Sequence, residues 1–159
     1  MQDTLVNMIF DKRGNLVPYE LIPADLDTLE AVFVRSFPDS ATRQRIFETL
    51  ILYLTELKAT LNTSLEVWIN GSFTTQKHDP NDIDFVIFVD RRVAVTHQTT
   101  IYQFRQRRYE ENSMTDGYFV ETVPEEHPEH RLYQLDRQDW HRAFVFGRNG
   151  QKGYLQIML

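Results

Sequence analysis

The chain has 159 residues, of which 42% are hydrophobic, and this length favours a single domain, 1–159, with its own core. The absence of cysteine excludes disulfides and thiolate metal sites, and a formal net charge of -6 argues against broad electrostatic capture of nucleic acid. No apolar run approaches the roughly 20 residues that span a bilayer, and the start of the chain lacks the basic residues of a signal peptide, so we expect a cytoplasmic protein with no membrane partner.

Residues 1–22 predict an N-terminal arm or hairpin, because apolar stretches at 6–10 and 16–17 flank a turn at Gly14. Residues 23–61 predict a pair of helices. The first starts at Pro23-Ala24-Asp25, ends at Pro38 and carries apolar residues at helical spacing: Leu26, Leu29, Phe33 and Phe37. The second is capped by Asp39 or Ser40 and carries a similar stripe: Ile46, Leu50, Tyr53 or Leu54, and Leu57.

The stretch 65–90 predicts two strands with a polar loop between them. Alternation of apolar and polar residues over 65–70 is typical of a strand with one face in a core. Gly71-Ser72 ends that strand, and the turn suits a phosphate, since glycine permits close approach and the Ser72 hydroxyl and nearby amides can donate to it. Asp79-Pro80-Asn81 marks a loop, and the apolar run 82–89 predicts a buried strand.

Two carboxylates begin this second strand. Asp82 and Asp84 project from one face because successive side chains alternate, and Ile83 points the other way into the core. Such close like charges are unfavourable unless a cation or a shared proton relieves them, and hard oxygen ligands favour Mg²⁺ or Mn²⁺. The alternative is a pair of solvated carboxylates at a strand end. The Gly71-Ser72 turn beside them favours the metal and phosphate site.

The rest of the chain predicts elements that surround this site. A polar connection leads to a helix over 99–109 and to a third strand, Thr115–Val123, beside the Asp pair. His127 and His130 fall in a loop rich in proline and glutamate, where a solvated loop is favoured over a ligand pair. Residues 135–144 predict a short helix with Trp140 and Phe144 buried on one side. A turn at 148–150 and a terminal strand over 153–159 complete the chain.

Two groups of arginines have roles that the sequence leaves open. Arg43 and Arg45, near the start of the second helix, either reach a phosphate or lie on a solvated helix face. Three more arginines lie on the helix over 99–109: Arg105, Arg107 and Arg108. They either flank the core or contact nucleic acid by stacking and charge.

The residues around the Asp pair resemble a known family. Gly71-Ser72, a short polar loop and Asp82-Ile83-Asp84 are similar to the signature of the polymerase-β-type nucleotidyltransferase superfamily, especially its minimal stand-alone members. Further segments resemble a branch of small prokaryotic nucleotidyltransferase-like proteins: Phe73-Thr74-Thr75, Lys77, Pro80-Asn81 and 146–153. The resemblance implies an α+β (α/β-like) nucleotidyltransferase fold, with a small mixed sheet flanked by helices and the catalytic motif within 65–159.

The same resemblance implies roles for individual residues. Gly71 and Ser72 would hold a nucleoside triphosphate, Asp82 and Asp84 would bind two divalent ions, Mg²⁺ or Mn²⁺, and a third carboxylate on a neighbouring strand would complete the metal site. Asp116 is the first choice, because it begins an apolar run much as Asp82 does, and Glu121 is the second. Two lysines, Lys77 and Lys152, either bind the triphosphate or lie solvated.

The function predicted from this resemblance is nucleotidyl transfer, in which an acceptor hydroxyl attacks the α-phosphate and pyrophosphate leaves. The acceptor would be a protein, an RNA or a small molecule, and a partner protein in a toxin–antitoxin or phage-defence system is part of the hypothesis. Because a fold does not determine a function, the alternative is a non-catalytic, antitoxin-like module that binds a nucleotide or a protein.

Overall fold

A computed structural model describes residues 8–159 as an α+β fold built on a five-stranded mixed sheet. The strands are β1 (Ile9–Phe10), β2 (Leu16–Val17), β3 (Leu21–Ala24), β4 (Glu66–Asn70), β5 (Ile83–Asp90), β6 (Thr115–Thr122), β7 (Phe146–Gly147), β8 (Gly150–Gln151) and β9 (Tyr154–Met158). The helices are α1 (Leu26–Glu30), α2 (Arg43–Leu61), α3 (Arg91–Thr96), α4 (Gln98–Gln106) and α5 (His130–Val145). A π-helical turn, Ala31–Arg35, continues α1, and 3₁₀ turns lie at Ser72–Thr74 and Arg107–Tyr109.

The order of strands in the sheet brings the predicted second and third strands together. The order is β3-β9-β4-β5-β6, with β4 antiparallel to β5 and β9, and with the pairs β3–β9 and β5–β6 parallel. Because β5 and β6 run parallel, both begin at the same edge of the sheet. Asp84 therefore lies directly beside Asp116.

The sheet separates two apolar layers. Phe85 and Ile87 face the larger layer, which contains the buried stripe of α2. Val86 and Trp68 face the smaller layer, which α5 covers. Since side chains alternate along a strand, Asp84 shares the α5 side of the sheet with Val86.

Several predicted elements are confirmed, with differences at their ends. The hairpin is formed by β1 and β2 around Gly14, which has a φ of 81°, while Val6 and Asn7 lie outside the described residues. The apolar stripe of α2 is buried, and the Ser40 hydroxyl accepts from the backbone N–H groups of Thr42 and Arg43 at its start. The third strand and the terminal strand are β6 and β9.

Other predictions were wrong in place or extent. Pro23 and Ala24 belong to edge strand β3 rather than to a helix, and α1 begins after Asp25, whose carboxylate accepts from the Thr28 N–H at 2.7 Å. An edge strand tolerates proline because one side of it makes no ladder hydrogen bonds. The expected polar connection over 91–96 is α3, and α5 begins at His130, within the expected loop.

Strand β4 is buried on both faces, although alternation predicted one buried face. Trp68 and Asn70 are only 3% and 5% exposed, because α5 covers the side that alternation assigned to solvent. Within residues 8–159, no helix is long and apolar enough to cross a bilayer.

Candidate functional site

Three carboxylates, Asp82, Asp84 and Asp116, meet where β5 and β6 begin, and we call them the carboxylate cluster. Asp84 and Asp116 are paired directly across the two strands. Burial, followed by the negative charges of Asp82 and Asp116, raises the pKa of Asp84 to about 7. Burial, followed by the charge of Asp116, also raises the pKa of Asp82. The cluster therefore favours a bound cation or a proton.

Gly71 sets the glycine–serine turn directly against this cluster. Its φ is 83°, in the region that favours glycine. A Cβ atom at position 71 would overlap Asp84 Oδ2 and lie only 2.9 Å from Asp84 Cγ. Both the backbone conformation and the close approach of Asp84 therefore require glycine here.

A basic cavity of about 640 Å³ opens beside Ser72. Three segments form it: the turn between β1 and β2, the loop after Gly71, and the segment from Gly147 to Lys152. Its cationic lining residues are Lys12, Arg13, Lys77, Arg148 and Lys152. The remaining described residues that line it are neutral, so the cavity presents five basic side chains and no carboxylate. Such a surface attracts a polyanion.

Hydrogen bonds between the three segments hold the basic cavity open in advance of any ligand. Gln76 donates its backbone N–H to the Gly14 carbonyl at 2.9 Å. The Asn15 side-chain amide is buried and donates to the carbonyls of Asn149 and Gln151 at 3.1 and 3.2 Å. The shape of the cavity therefore depends on residues that are far apart in the sequence.

Two lysines connect the basic cavity to the carboxylate cluster. Lys152 lines the basic cavity, burial lowers the pKa of its ammonium, and the charge of Asp84 opposes that shift. The charge of Lys77 likewise acts to lower the pKa of Asp82. The structure thus brings together the residues that the sequence singled out: Gly71, Ser72, Lys77, Asp82, Asp84, Asp116 and Lys152.

Three of the five basic residues of the cavity were missed by reasoning from the sequence: Lys12, Arg13 and Arg148. Arg13 precedes Gly14, and Arg148 lies two residues before Gly150, and both glycines have positive φ. The signal that the sequence offered for Arg13 and Arg148 was an arginine close to a glycine in a turn. Nothing local indicated that the two turns would face the same cavity.

The structure contradicts both roles that the sequence left open for Arg43. Its side chain is fully buried, and burial lowers its pKa to about 10. Its guanidinium stacks 4.0 Å from the centre of the Phe37 ring. It donates to five backbone carbonyls: Phe33, Phe73, Thr75, Lys77 and His78. Arg43 therefore fixes the path of the loop that follows Gly71, while Arg45 is exposed.

Glu121, the second choice for the third carboxylate, lies away from the cluster. It pairs with Val89 near the far end of β5 and accepts from Arg91 at 3.0 Å. Among the predicted candidates for this position, Asp116 is the residue placed beside Asp84.

The later arginines have different surroundings. Arg107 donates to Glu56 at 2.9 Å and stacks on Phe104, and Arg105 lies over the Phe119 ring. Arg108 stacks 4.2 Å from the centre of the Tyr118 ring, next to Asp116. Of the three arginines, Arg108 is the one near the cluster.

The donors around Asp84 are of the chemical type that a divalent cation prefers. Asp82, Asp84 and Asp116 supply carboxylate oxygens, and Oδ1 of the buried Asn70, the residue paired with Asp84 on β4, has no hydrogen-bond partner. Hard oxygen donors of this kind suit Mg²⁺ or Mn²⁺. In the described part of the chain, no three or more His, Cys, Asp or Glu side chains are positioned to hold a metal ion as they stand.

Comparison with known proteins identifies one related family. A sequence model described as a family of unknown function (DUF6932) matches residues 8–158, a range that contains the whole carboxylate cluster and the whole basic cavity. No curated protein and no solved structure gives a significant match.

Proposed function

We propose that this chain, which belongs to the DUF6932 family of unknown function, transfers a nucleoside monophosphate from a nucleoside triphosphate to an acceptor hydroxyl. Pyrophosphate is the second product. The observation that carries the proposal is the placement of an acidic cluster against a basic cavity, with Gly71 and Ser72 at their junction. Transfer of a nucleotidyl group needs both surfaces at once, because the polyphosphate must be held while charge on the α-phosphate is neutralised.

The basic cavity supports binding of the triphosphate. Its volume lies within the range of about 300–1,000 Å³ that is common for small-molecule sites. Lysine and arginine are the side chains that bind phosphate oxygens, and Ser72 adds a hydroxyl at the turn. Lys77 and Lys152 stand between the cavity and the cluster, so they suit the end of the polyphosphate nearest the reacting phosphorus.

The carboxylate cluster supports the chemical step. When bound by Asp82, Asp84 and Asp116, Mg²⁺ or Mn²⁺ would neutralise charge on the phosphates and orient them. Asp116 accepts the proton of the attacking hydroxyl in this proposal. The new bond joins the acceptor oxygen to the α-phosphorus, and the bond from that phosphorus to the bridging oxygen of pyrophosphate breaks. Lys77 and Lys152 hold the departing pyrophosphate.

A transfer assay tests this proposal. The purified protein is incubated with each ribonucleoside triphosphate, labelled at the α-phosphate, together with Mg²⁺ or Mn²⁺ and a cell extract that supplies acceptors. We expect release of pyrophosphate and label in protein, RNA or a small molecule, and loss of both with Asp84→Asn. Asp139→Asn, which changes an exposed carboxylate on α5, is the matched control. Transfer that survives Asp84→Asn, or no transfer with any triphosphate, would refute the proposal.

A second candidate is a non-catalytic, antitoxin-like module that binds a nucleotide or a partner protein. The charge of Asp84 acts on the buried ammonium of Lys152, and this favours the second candidate, because such an ammonium can offset the charge of the carboxylate in place of a metal ion. Triphosphate binding that is independent of Mg²⁺, without release of pyrophosphate, would support this candidate. A cytoplasmic location, where nucleoside triphosphates are abundant, and a place in a toxin–antitoxin or phage-defence system remain parts of the proposal.

A further inference from the structure

Tyr118 places a hydroxyl group at the carboxylate that would accept the proton in the proposed reaction. It lies on β6 two residues after Asp116, so both side chains project from the same face of the sheet. The Tyr118 hydroxyl donates to Asp116 Oδ2 at 3.4 Å. A general base has to reach the hydroxyl that it deprotonates, and such hydrogen bonds are often long before the substrate binds.

Two neighbouring side chains hold the ring of Tyr118 in place. The Arg108 guanidinium lies 4.2 Å from its centre, and the Trp140 ring lies 4.9 Å away, centre to centre. Contacts of these kinds fix the orientation of an aromatic ring. A group that is already oriented next to its base loses little further freedom when it reacts. The side chain remains partly exposed.

We propose that the protein transfers a nucleotidyl group to its own Tyr118, a modification that rests on the proposed function. The Tyr118 oxygen forms a bond to the α-phosphorus of the bound triphosphate, and the phenolic proton passes to the Asp116 carboxylate. The bond between the α-phosphorus and the oxygen that bridges to the β-phosphate breaks, and the electron pair leaves with pyrophosphate. The product is a phosphodiester between a nucleoside and a tyrosine, and the step needs no oxidant or reductant.

The proposed selectivity depends on position rather than on exposure. Tyr102 and Tyr109 are 60% and 68% exposed, far more than Tyr118. A reaction governed by accessibility would modify those two residues first. A reaction governed by the cluster would modify the residue that donates to Asp116.

Mass spectrometry of the full chain tests the inference without any added acceptor. The protein is incubated with each ribonucleoside triphosphate and Mg²⁺ or Mn²⁺, and its intact mass is compared with that of the protein as isolated from cells. We expect a mass increase equal to one nucleoside monophosphate, mapped to the peptide that contains Tyr118. Tyr118→Phe should reduce the increase to background, while the matched control Tyr102→Phe should retain it.

The outcomes separate this inference from the function on which it rests. Label at Tyr118 in the wild-type protein supports the inference even if Tyr118→Phe fails to fold, because peptide mapping does not depend on the variant. Pyrophosphate release with a cell extract, combined with an unmodified Tyr118 or with label on another residue, overturns the inference and leaves the proposed function standing. No turnover of any triphosphate overturns both.

Discussion

Asp84→Asn tests how much the buried charge of Asp84 destabilises the folded protein when no cation is bound. Burial and two neighbouring carboxylates raise the pKa of Asp84 from 3.8 to about 7. Above pH 4 the unfolded chain gives up this proton while the folded chain still keeps it. The unfolded state then binds fewer protons than the folded state, so stability falls as the pH rises from about 4 to about 7.

The size of this effect follows from the pKa difference. Each pKa unit corresponds to about 1.4 kcal/mol, so the complete loss is at most about 4 kcal/mol. Integrating over the interval, about 2.5 kcal/mol of that loss falls between pH 5 and pH 8. Asparagine has nearly the same shape as aspartate and no charge to bury. We therefore expect Asp84→Asn to gain stability relative to wild type at pH 8 and to show a smaller gain at pH 5.

Urea unfolding with a metal chelator, followed by tryptophan fluorescence, provides the measurement. Free energies of unfolding are compared at pH 5 and pH 8 for wild type, Asp84→Asn and the control Asp139→Asn. Adding Mg²⁺ at pH 8 should stabilise wild type more than Asp84→Asn, because binding to the folded state adds stability. If wild type and Asp84→Asn lose equal stability between the two pH values, the cluster does not carry the buried charge that we infer.

Three further outcomes are expected. Gly71→Ala should lower the free energy of unfolding in urea by at least about 1–3 kcal/mol, since the φ of 83° at position 71 is unfavourable for alanine and the alanine Cβ would overlap Asp84. Unchanged stability would contradict that geometry. Lys152→Ala should weaken triphosphate binding in the absence of metal about tenfold, or about 1.4 kcal/mol, as measured by calorimetry. The control Lys58→Ala on α2 should bind like wild type, and equal affinities of Lys152→Ala and wild type would remove Lys152 from the site. Arg43→Lys should lower the free energy of unfolding by about 3 kcal/mol or more, because buried backbone carbonyls lose their donors, and it should speed proteolysis after Gly71. An equal effect of Arg45→Lys, which changes an exposed arginine, would refute the role of Arg43.

Sequence patterns predicted the parts of the site that depend on neighbouring residues. Alternation over β4 and β5 places side chains on a known face, and Asp82 and Asp84 are two residues apart, so their proximity follows from strand geometry alone. The position of Asp116 beside Asp84 needed one further step, namely that the third strand lies next to β5. The structure confirms that pairing.

Long-range contacts explain what the sequence did not predict. The sequence predicted either phosphate binding or a solvated helix face for Arg43, because its true acceptors are backbone carbonyls of distant segments and no periodic pattern marks these. Lys12 and Arg148 line one cavity only because the β1–β2 turn, through Asn15, is hydrogen-bonded to the Asn149 carbonyl. The position of β9 inside the sheet likewise depends on which strands pair, and alternation within a strand carries no information about its neighbours.

The position of β9 between β3 and β4 has a consequence for the newly made chain. Leu21 on β3 pairs with Tyr154 on β9, so the first strand of the main sheet has no neighbour until the ribosome has released a segment from the opposite part of the chain. Closing so large a loop is slow compared with forming a local hairpin. The walls of the basic cavity also come from both ends of the described chain. A partly synthesised protein that still lacks residues 147–152 therefore cannot assemble this cavity.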